Sequence, residues 1–238
     1  MASPSPAYVH DRRSGDRSEI LAMREPALDR HEMDDFYGAF LHTALTSAGC
    51  VLTAADTGIL PDDAYGRMVG DLAGESIPIF ADLHGSALQA VLEAGGLDVL
   101  KVSHEDLAGD GWDTESEDAS VAAARELQRR GARTVVVSRA GERAIAATGT
   151  RVLAITPPRL SAVDHRGAGD SMTGGLAAGW VHGLDPLDAI RLGAAAGAGN
   201  VTRRGLGSGT PDLIGTLTGR VELEELPMSG VTRFGGDG

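Results

Sequence analysis

From Cys50 onward, short apolar, β-branched runs alternate with amphipathic stretches of helical period, and that alternation limits the fold more than any other feature of the chain. Strand-like runs lie at 50–53, 77–82, 98–102 and 134–138, and helical stretches at about 61–73, 86–94 and 118–130. Asp118 is positioned to cap the last of these helices and Gly131 to end it. Such a series predicts right-handed βαβ units, hence an α/β fold: a mostly parallel central sheet with helices on both faces, in three α/β/α layers. Two more extended runs, 144–148 and 152–155, precede Pro157-Pro158. Helical stretches at 168–182, 186–203 and 211–218 follow, the second announced by Asp185-Pro186 as cap and first-turn proline. The small residues from Gly193 to Gly199 allow helix backbones to approach closely.

Aromatic residues are only 4% of the chain, so the core of this 42% apolar sequence must be built from Ala, Val, Leu and Ile. Ahead of the alternating region, residues 1–6 read as a disordered leader. Two extended runs around a glycine-containing turn, near 8–21, predict a hairpin, and Met33, Phe36, Phe40, Leu41 and Leu45 predict a helix over 31–46. An isolated hairpin is marginal in water, so this one needs a partner. The expected organisation is leader 1–6, hairpin unit 7–24, α/β core 25–225 and a loose glycine-rich tail 226–238.

The net charge of −13 argues against nucleic acid or an anionic membrane as partner, though not against a small anion held by a few arginines and backbone amides. Cys50 is the only cysteine, which excludes an intrachain disulfide and a cysteine-based metal site; a buried thiol is expected. No run reaches the roughly 18 apolar residues of a membrane span, and Met1–Pro6 lacks the basic and apolar regions of a signal peptide, so the expected location is cytoplasmic.

One short run carries chemistry. In Asp164-His165-Arg166-Gly167-Ala168-Gly169-Asp170, two glycines flank a small residue where a loop enters a helix. Outward-facing amides and the positive end of the helix dipole there form an anion site, and Asp170 adds a carboxylate in the first turn. Such a site suits phosphoryl transfer: the amides stabilise the moving phosphoryl group while Asp170 orients and deprotonates the attacking hydroxyl. The plain alternative is a tight turn with Asp170 as a helix cap.

The stretch from Val163 to Gly175 resembles the second signature of the PfkB, or ribokinase-like, sugar kinases, Asp-Thr-x-Gly-Ala-Gly-Asp before a small-residue helix, with His165 where that family has Thr. The resemblance implies that Gly167, Ala168 and Gly169 form the anion hole, that Asp170 is the catalytic base, and that Arg166 touches a phosphate. It extends over roughly 7–218 and is nearest to the branch of 1-phosphofructokinase and tagatose-6-phosphate kinase. Asp82-Leu83-His84-Gly85-Ser86-Ala87-Leu88 is similar to that branch's Asp-x-x-Gly-x-x-Leu, which gives Asp82 a substrate role. Pro61-Asp62-Asp63-Ala64-Tyr65 is similar to its Pro-x-Asp-x-Tyr. The hairpin resembles the last strands of a small β lid over the sugar.

Departures accompany the likeness. The family's Lys-Pro-Asn-x-x-Glu reads Lys101-Val102-Ser103-His104-Glu105-Asp106, which leaves Lys101 for phosphate and Asp106 for Mg²⁺, with shorter reach. Its Ser/Thr-x-Gly-x-x-Gly reads Ser138-Arg139-Ala140-Gly141-Glu142-Arg143, which keeps Ser138 and Gly141 toward ATP but replaces both motif glycines. Ala54-Ala55 stand for a Gly-Ser pair, and Asn200 with Gly205-Leu206-Gly207-Ser208-Gly209 fall where the family surrounds adenine. The family's opening segment, with the first strand, a sugar-binding Asp and a Gly-Gly pair, has no counterpart, so the chain is expected to be N-terminally truncated. The resemblance thus implies an ATP- and Mg²⁺-dependent kinase of a sugar or sugar phosphate, with a homodimer as the family-like assembly. The competing expectation is a degenerate relative that binds nucleotide or sugar phosphate without catalysis, or a fragment of a longer kinase.

Overall fold

The computed structural model describes residues 7–11, 13, 18–23, 27–53, 59–61, 63–203 and 205–227. The leader, Ala54-Ala55, Asp62 of the Pro-x-Asp-x-Tyr segment, most of the hairpin turn and the tail beyond 227 lie outside these residues. The hairpin pairs β1 (Ala7–Asp11) with β2 (Ser18–Met23) as a separate antiparallel sheet, its register shifting between Val9 and His10. Helix α1 (Arg30–Leu45) opens on a capping box: Asp29 accepts from the Glu32 amide and Glu32 reaches back to the Asp29 amide.

Then the alternation runs as expected. Strand β3 (Cys50–Thr53) leads to α2 (Ala64–Leu72), β4 (Ile79–Asp82) to α3 (Gly85–Ala94), and β5 (Leu97–Ser103) to α4 (His104–Gly109) and α5 (Glu117–Arg129). Strands β6 (Ala132–Ser138), β7 (Ala144–Thr148) and β8 (Arg151–Thr156) follow. Helices α6 (Ala168–Val181), α7 (Pro186–Asn200) and α8 (Pro211–Thr218) come next, and β9 (Glu222–Glu225) closes the order. The seven strands lie in the order β3-β4-β5-β6-β7-β8-β9. The first four are parallel and the remaining pairings antiparallel, so β8 points with the first four and five of seven strands share one direction.

The sheet separates two cores. Val135 and Val137 face a cluster with Met68, Leu88, Val91 and Leu127 from α2, α3 and α5, whereas Val136 faces Met172, Leu176, Ile190 and Leu217 from α6, α7 and α8. The period of two along β6 thus assigns each residue its layer, and the three α/β/α layers are present as predicted. Cys50 is buried, and burial raises its thiol pKa.

Several details differ from the sequence expectation. The cap of α5 is Ser116, whose Oγ accepts from the Ala119 amide, while Asp118 sits inside the first turn. Strand β4 begins two residues later than expected, after Pro78, which has no N–H to donate. Helix α4 and strand β9 were not anticipated. The first has six residues, too few to show a period; the second is Glu-Leu-Glu-Glu, a composition of low strand propensity held by antiparallel pairing to β8.

Candidate active site

Parallel strands deliver their carboxyl ends to one edge of the sheet, where α/β folds of this kind bind ligands. Asp82 ends β4 beside Lys101 on β5, and Ser103 ends β5 beside Ser138 on β6. Register alone therefore lines up four candidate residues along this edge. Above them stands the first turn of α6.

Gly167 is the N-cap of α6, at φ 71°, a left-handed conformation that glycine adopts without penalty. No side chain caps this helix, so the alternative of Asp170 as a cap is not the geometry found. The Ser171 amide bonds to Gly167 O at 2.9 Å and the Ala168 amide makes a long contact of 3.4 Å to His165 O, while among the described residues no acceptor meets the Gly169 and Asp170 amides. Asp170 is exposed one residue further on, so the turn presents free donors and a carboxylate together.

Beneath that turn lies a buried charge network. Lys101 donates to Asp82 Oδ1 and Oδ2 at 3.2 and 3.0 Å, with side chains only 6% and 14% exposed. A Cβ built on Gly169 would stand 2.6 Å from Lys101 Nζ, so the ammonium abuts the helix, and a larger residue there would push the lysine tip aside. Lys101 is the only lysine of the chain; every other cationic side chain, histidine aside, is arginine. A compact ammonium needs less room against a helix turn than a planar guanidinium. Thr173, buried one turn beyond Gly169, completes the network at 2.9 Å from Asp82 Oδ2. It lies outside the motif that ends at Asp170; the signal was a polar residue four positions after Gly169 in a helix that is otherwise mostly small and apolar.

The flanking loops are tied in. Arg166 donates through Nε and its terminal nitrogen to Asp164, which raises the guanidinium pKa further. It is therefore held at the loop by its neighbour, half-exposed. Asn200, 1% exposed, donates from Nδ2 to Arg166 O at 2.6 Å and accepts from the Gly207 amide at 3.0 Å. Both ends of this side chain are engaged within the protein, so it clamps the 205–207 loop to the Gly167 loop. Leu206 packs over Gly167, where a Cβ would meet its Cδ2 at 2.8 Å.

The departures from the family pattern acquire geometry. Ser103 Oγ caps α4 by accepting from the Asp106 amide and donates to Asp106 Oδ2 at 2.6 Å, leaving Asp106 one carboxylate oxygen without that bond. No group of three or more His, Cys, Asp or Glu gathers for a metal among the described residues. A single carboxylate nonetheless fits Mg²⁺, which keeps most of its waters and leans on nucleotide phosphates. Ala140 has φ 43°, the one left-handed residue other than glycine among those described, so the backbone keeps a glycine's conformation although a Cβ is present. Gly141 is exposed beside it, and Ser138 Oγ lies 3.5 Å from Val102 O. Arg143 pairs with Glu117 on α5 and Glu224 on β9, joining the two elements. A separate concavity of about 490 Å³, lined by Val69, Ile77, Asp98, Arg133 and Trp180, opens at the opposite, amino end of the strands.

Comparison with known proteins places the fold among relatives. The family model of pfkB family carbohydrate kinases matches residues 69–213. The 1-phosphofructokinase of Bacillus subtilis is 28% identical over 219 residues, covering 90% of this chain and 69% of that protein. The ATP-dependent 6-phosphofructokinase isozyme 2 of Mycobacterium tuberculosis is 34% identical over 164 residues, 66% of this chain and 47% of that one. The chain thus spans between about half and two thirds of these relatives. Among solved structures, phosphofructokinase-2 from Escherichia coli in complex with potassium superimposes with a TM-score of 0.79 at 22% identity, over 92% of this chain and 71% of that one. Ribokinase from Arabidopsis thaliana complexed with ribose and ATP gives 0.73 at 19%, over 91% and 70%.

Proposed function

The chain belongs to the pfkB family of carbohydrate kinases, and from that premise we propose that it transfers the γ-phosphoryl group of ATP to a hydroxyl of a sugar or sugar phosphate, as its 1-phosphofructokinase relatives are named for doing. The observation that carries this reading is the first turn of α6, where amides without acceptors and the exposed Asp170 stand above Lys101 at the carboxyl edge of the sheet.

In this reading the acceptor hydroxyl attacks the γ-phosphorus, the bond from phosphorus to the ADP oxygen breaks, and the hydroxyl proton passes to Asp170. The transition state is loose, so positioning and charge stabilisation matter more than base strength. The amides of Gly167 to Gly169, that of Ala168 by giving up its long contact to His165 O, and the helix dipole stabilise the equatorial oxygens. Lys101 supplies a point charge from below and Arg166 a second cation from the loop. Ser138 and Gly141 approach the nucleotide along the β6 edge, Gly207 approaches it from the 205–209 loop, and Asn200 acts by holding that loop. Asp82 serves the substrate side through Lys101. Mg²⁺, when bound with the nucleotide, neutralises phosphate charge, and Asp106 would hold water around it. Exposed Val9, Ile20 and Leu21 on β1 and β2 support a homodimer, because pairing would cover them.

The deciding experiment incubates the protein with Mg-ATP and a panel of hexose phosphates beside Asp170→Asn. Acceptor-dependent ADP release should fall by at least about a hundredfold in the variant. Equal release from both proteins sinks the catalytic reading. A second reading, binding without turnover, is favoured by Ala140 and Arg143 in place of glycines and by the Ser103–Asp106 bond. Calorimetric ADP binding with no turnover on any acceptor would establish it.

A further inference from the structure

Thr173 has no part in the chemistry described so far, yet it is a buried polar residue at the centre of the network. Its hydroxyl lies 2.9 Å from Asp82 Oδ2 and 3.1 Å from the carbonyl of Gly169. A hydroxyl has one proton, so it donates to one of these acceptors at a time. Bonding to the carbonyl four residues back is a resting place open to any helical threonine. Bonding to Asp82 is particular to this fold, because the two residues are 91 positions apart.

Asp82 meanwhile accepts from Lys101 through both oxygens, and Lys101 abuts the turn that would take the phosphate. The same ammonium therefore faces two anions, one built in and one arriving. If Lys101 turns to the phosphate, Asp82 loses its charged donor in a site where its side chain is 14% exposed. A carboxylate stranded in that way is costly.

We propose that Thr173 is a positioning residue that frees Lys101 for the nucleotide: when the ammonium moves to phosphate, the Thr173 hydroxyl, already 2.9 Å from Asp82 Oδ2, remains as donor and holds that carboxylate in place. The proposal rests on the reading of Gly167–Asp170 as the phosphate site. Valine has the shape of threonine without the proton, and serine has the proton without the methyl, so the two variants separate hydrogen bonding from packing.

Because Lys101 is the only lysine, protein labelled with ¹⁵N at lysine Nζ gives one side-chain ammonium signal. Titration with Mg-ADP should move that signal in the unsubstituted protein. In Thr173→Val the dissociation constant should rise about tenfold, the scale of one lost hydrogen bond to a charged group, and Thr173→Ser should return it to within about twofold. In turnover with Mg-ATP, the valine variant should raise KM for ATP about tenfold while kcat stays within about threefold, a split that a general loss of folded protein does not produce. Unchanged ADP affinity in Thr173→Val, or a loss that serine does not restore, overturns the proposal while the phosphate-site reading stands. An Nζ signal unmoved by ADP in the unsubstituted protein overturns both.

Discussion

Asn200 offers the sharpest test of how the site is assembled, because one atom can be changed without changing shape. In Asn200→Asp the acceptor toward the Gly207 amide remains, but the donor toward Arg166 O is replaced by an oxygen 2.6 Å from a carbonyl oxygen. At neutral pH the buried position, 1% exposed, must hold either a charge facing a carbonyl or a carboxyl kept protonated against its ordinary pKa of about 3.9. Losing a buried hydrogen bond and stranding its acceptor costs about 2–3 kcal/mol at pH 7. The sign follows from linkage. The folded-state pKa of the introduced carboxyl is raised, because only the protonated form can donate to Arg166 O. Its favourable contribution is therefore complete below about pH 4 and disappears as pH rises through the raised value. Urea unfolding at pH 4.5 and 7.5 should show the variant close to the parent at the lower pH. At the higher pH it should be less stable by about 2–3 kcal/mol, or about 5–10 °C in Tm for a chain of this size. The affinity for ADP should fall in parallel, since the clamp joins the 205–207 loop to the anion hole. A variant within about 0.5 kcal/mol of the parent at pH 7.5, or a deficit that does not change with pH, would refute the clamp.

Other substitutions probe separate parts of the same construction. Gly193→Ala drives a Cβ to 2.6 Å from Leu176 Cγ and 2.9 Å from Met172 O, so overpacking between α6 and α7 should cost about 1–3 kcal/mol in denaturant unfolding and displace the α6 first turn. Ala140→Gly relieves the left-handed alanine and should stabilise by about 1 kcal/mol, read as a Tm rise of about 2–4 °C. Burial, then the hydrogen bond to Asp71, pushes the Tyr37 hydroxyl up to about 12, so absorbance titration at ~295 nm should show a late step that Tyr37→Phe removes. Since the raised value belongs to the folded state, the contribution of Tyr37 to stability is present below about pH 10 and lost between about pH 10 and 12.

Most of the architecture was legible because its determinants are local. Apolar runs of period two and helical stretches of period 3.6 announce β3 to β8, α1 to α3 and α5 to α8, and glycines with a small residue between them announce the turn at 167–169. Asp170 and Lys101 were legible as candidates because short motifs keep their spacing. What escaped has a common character. Helix α4 is too short for a period, β9 is a strand made of glutamates, and Ser116 rather than Asp118 caps α5 because the cap is decided by where the chain turns.

The site divides along the same line. That α6 begins with a glycine turn and a carboxylate is a property of adjacent residues, and the sequence by itself determined it. That Asp82, Lys101 and Thr173 form one buried network, that Asn200 locks two loops, and that Ala140 keeps a glycine's backbone were decided only by the tertiary structure. These contacts join residues from separate elements through strand register and helix packing, and register depends on the summed burial of both sheet faces rather than on any local run.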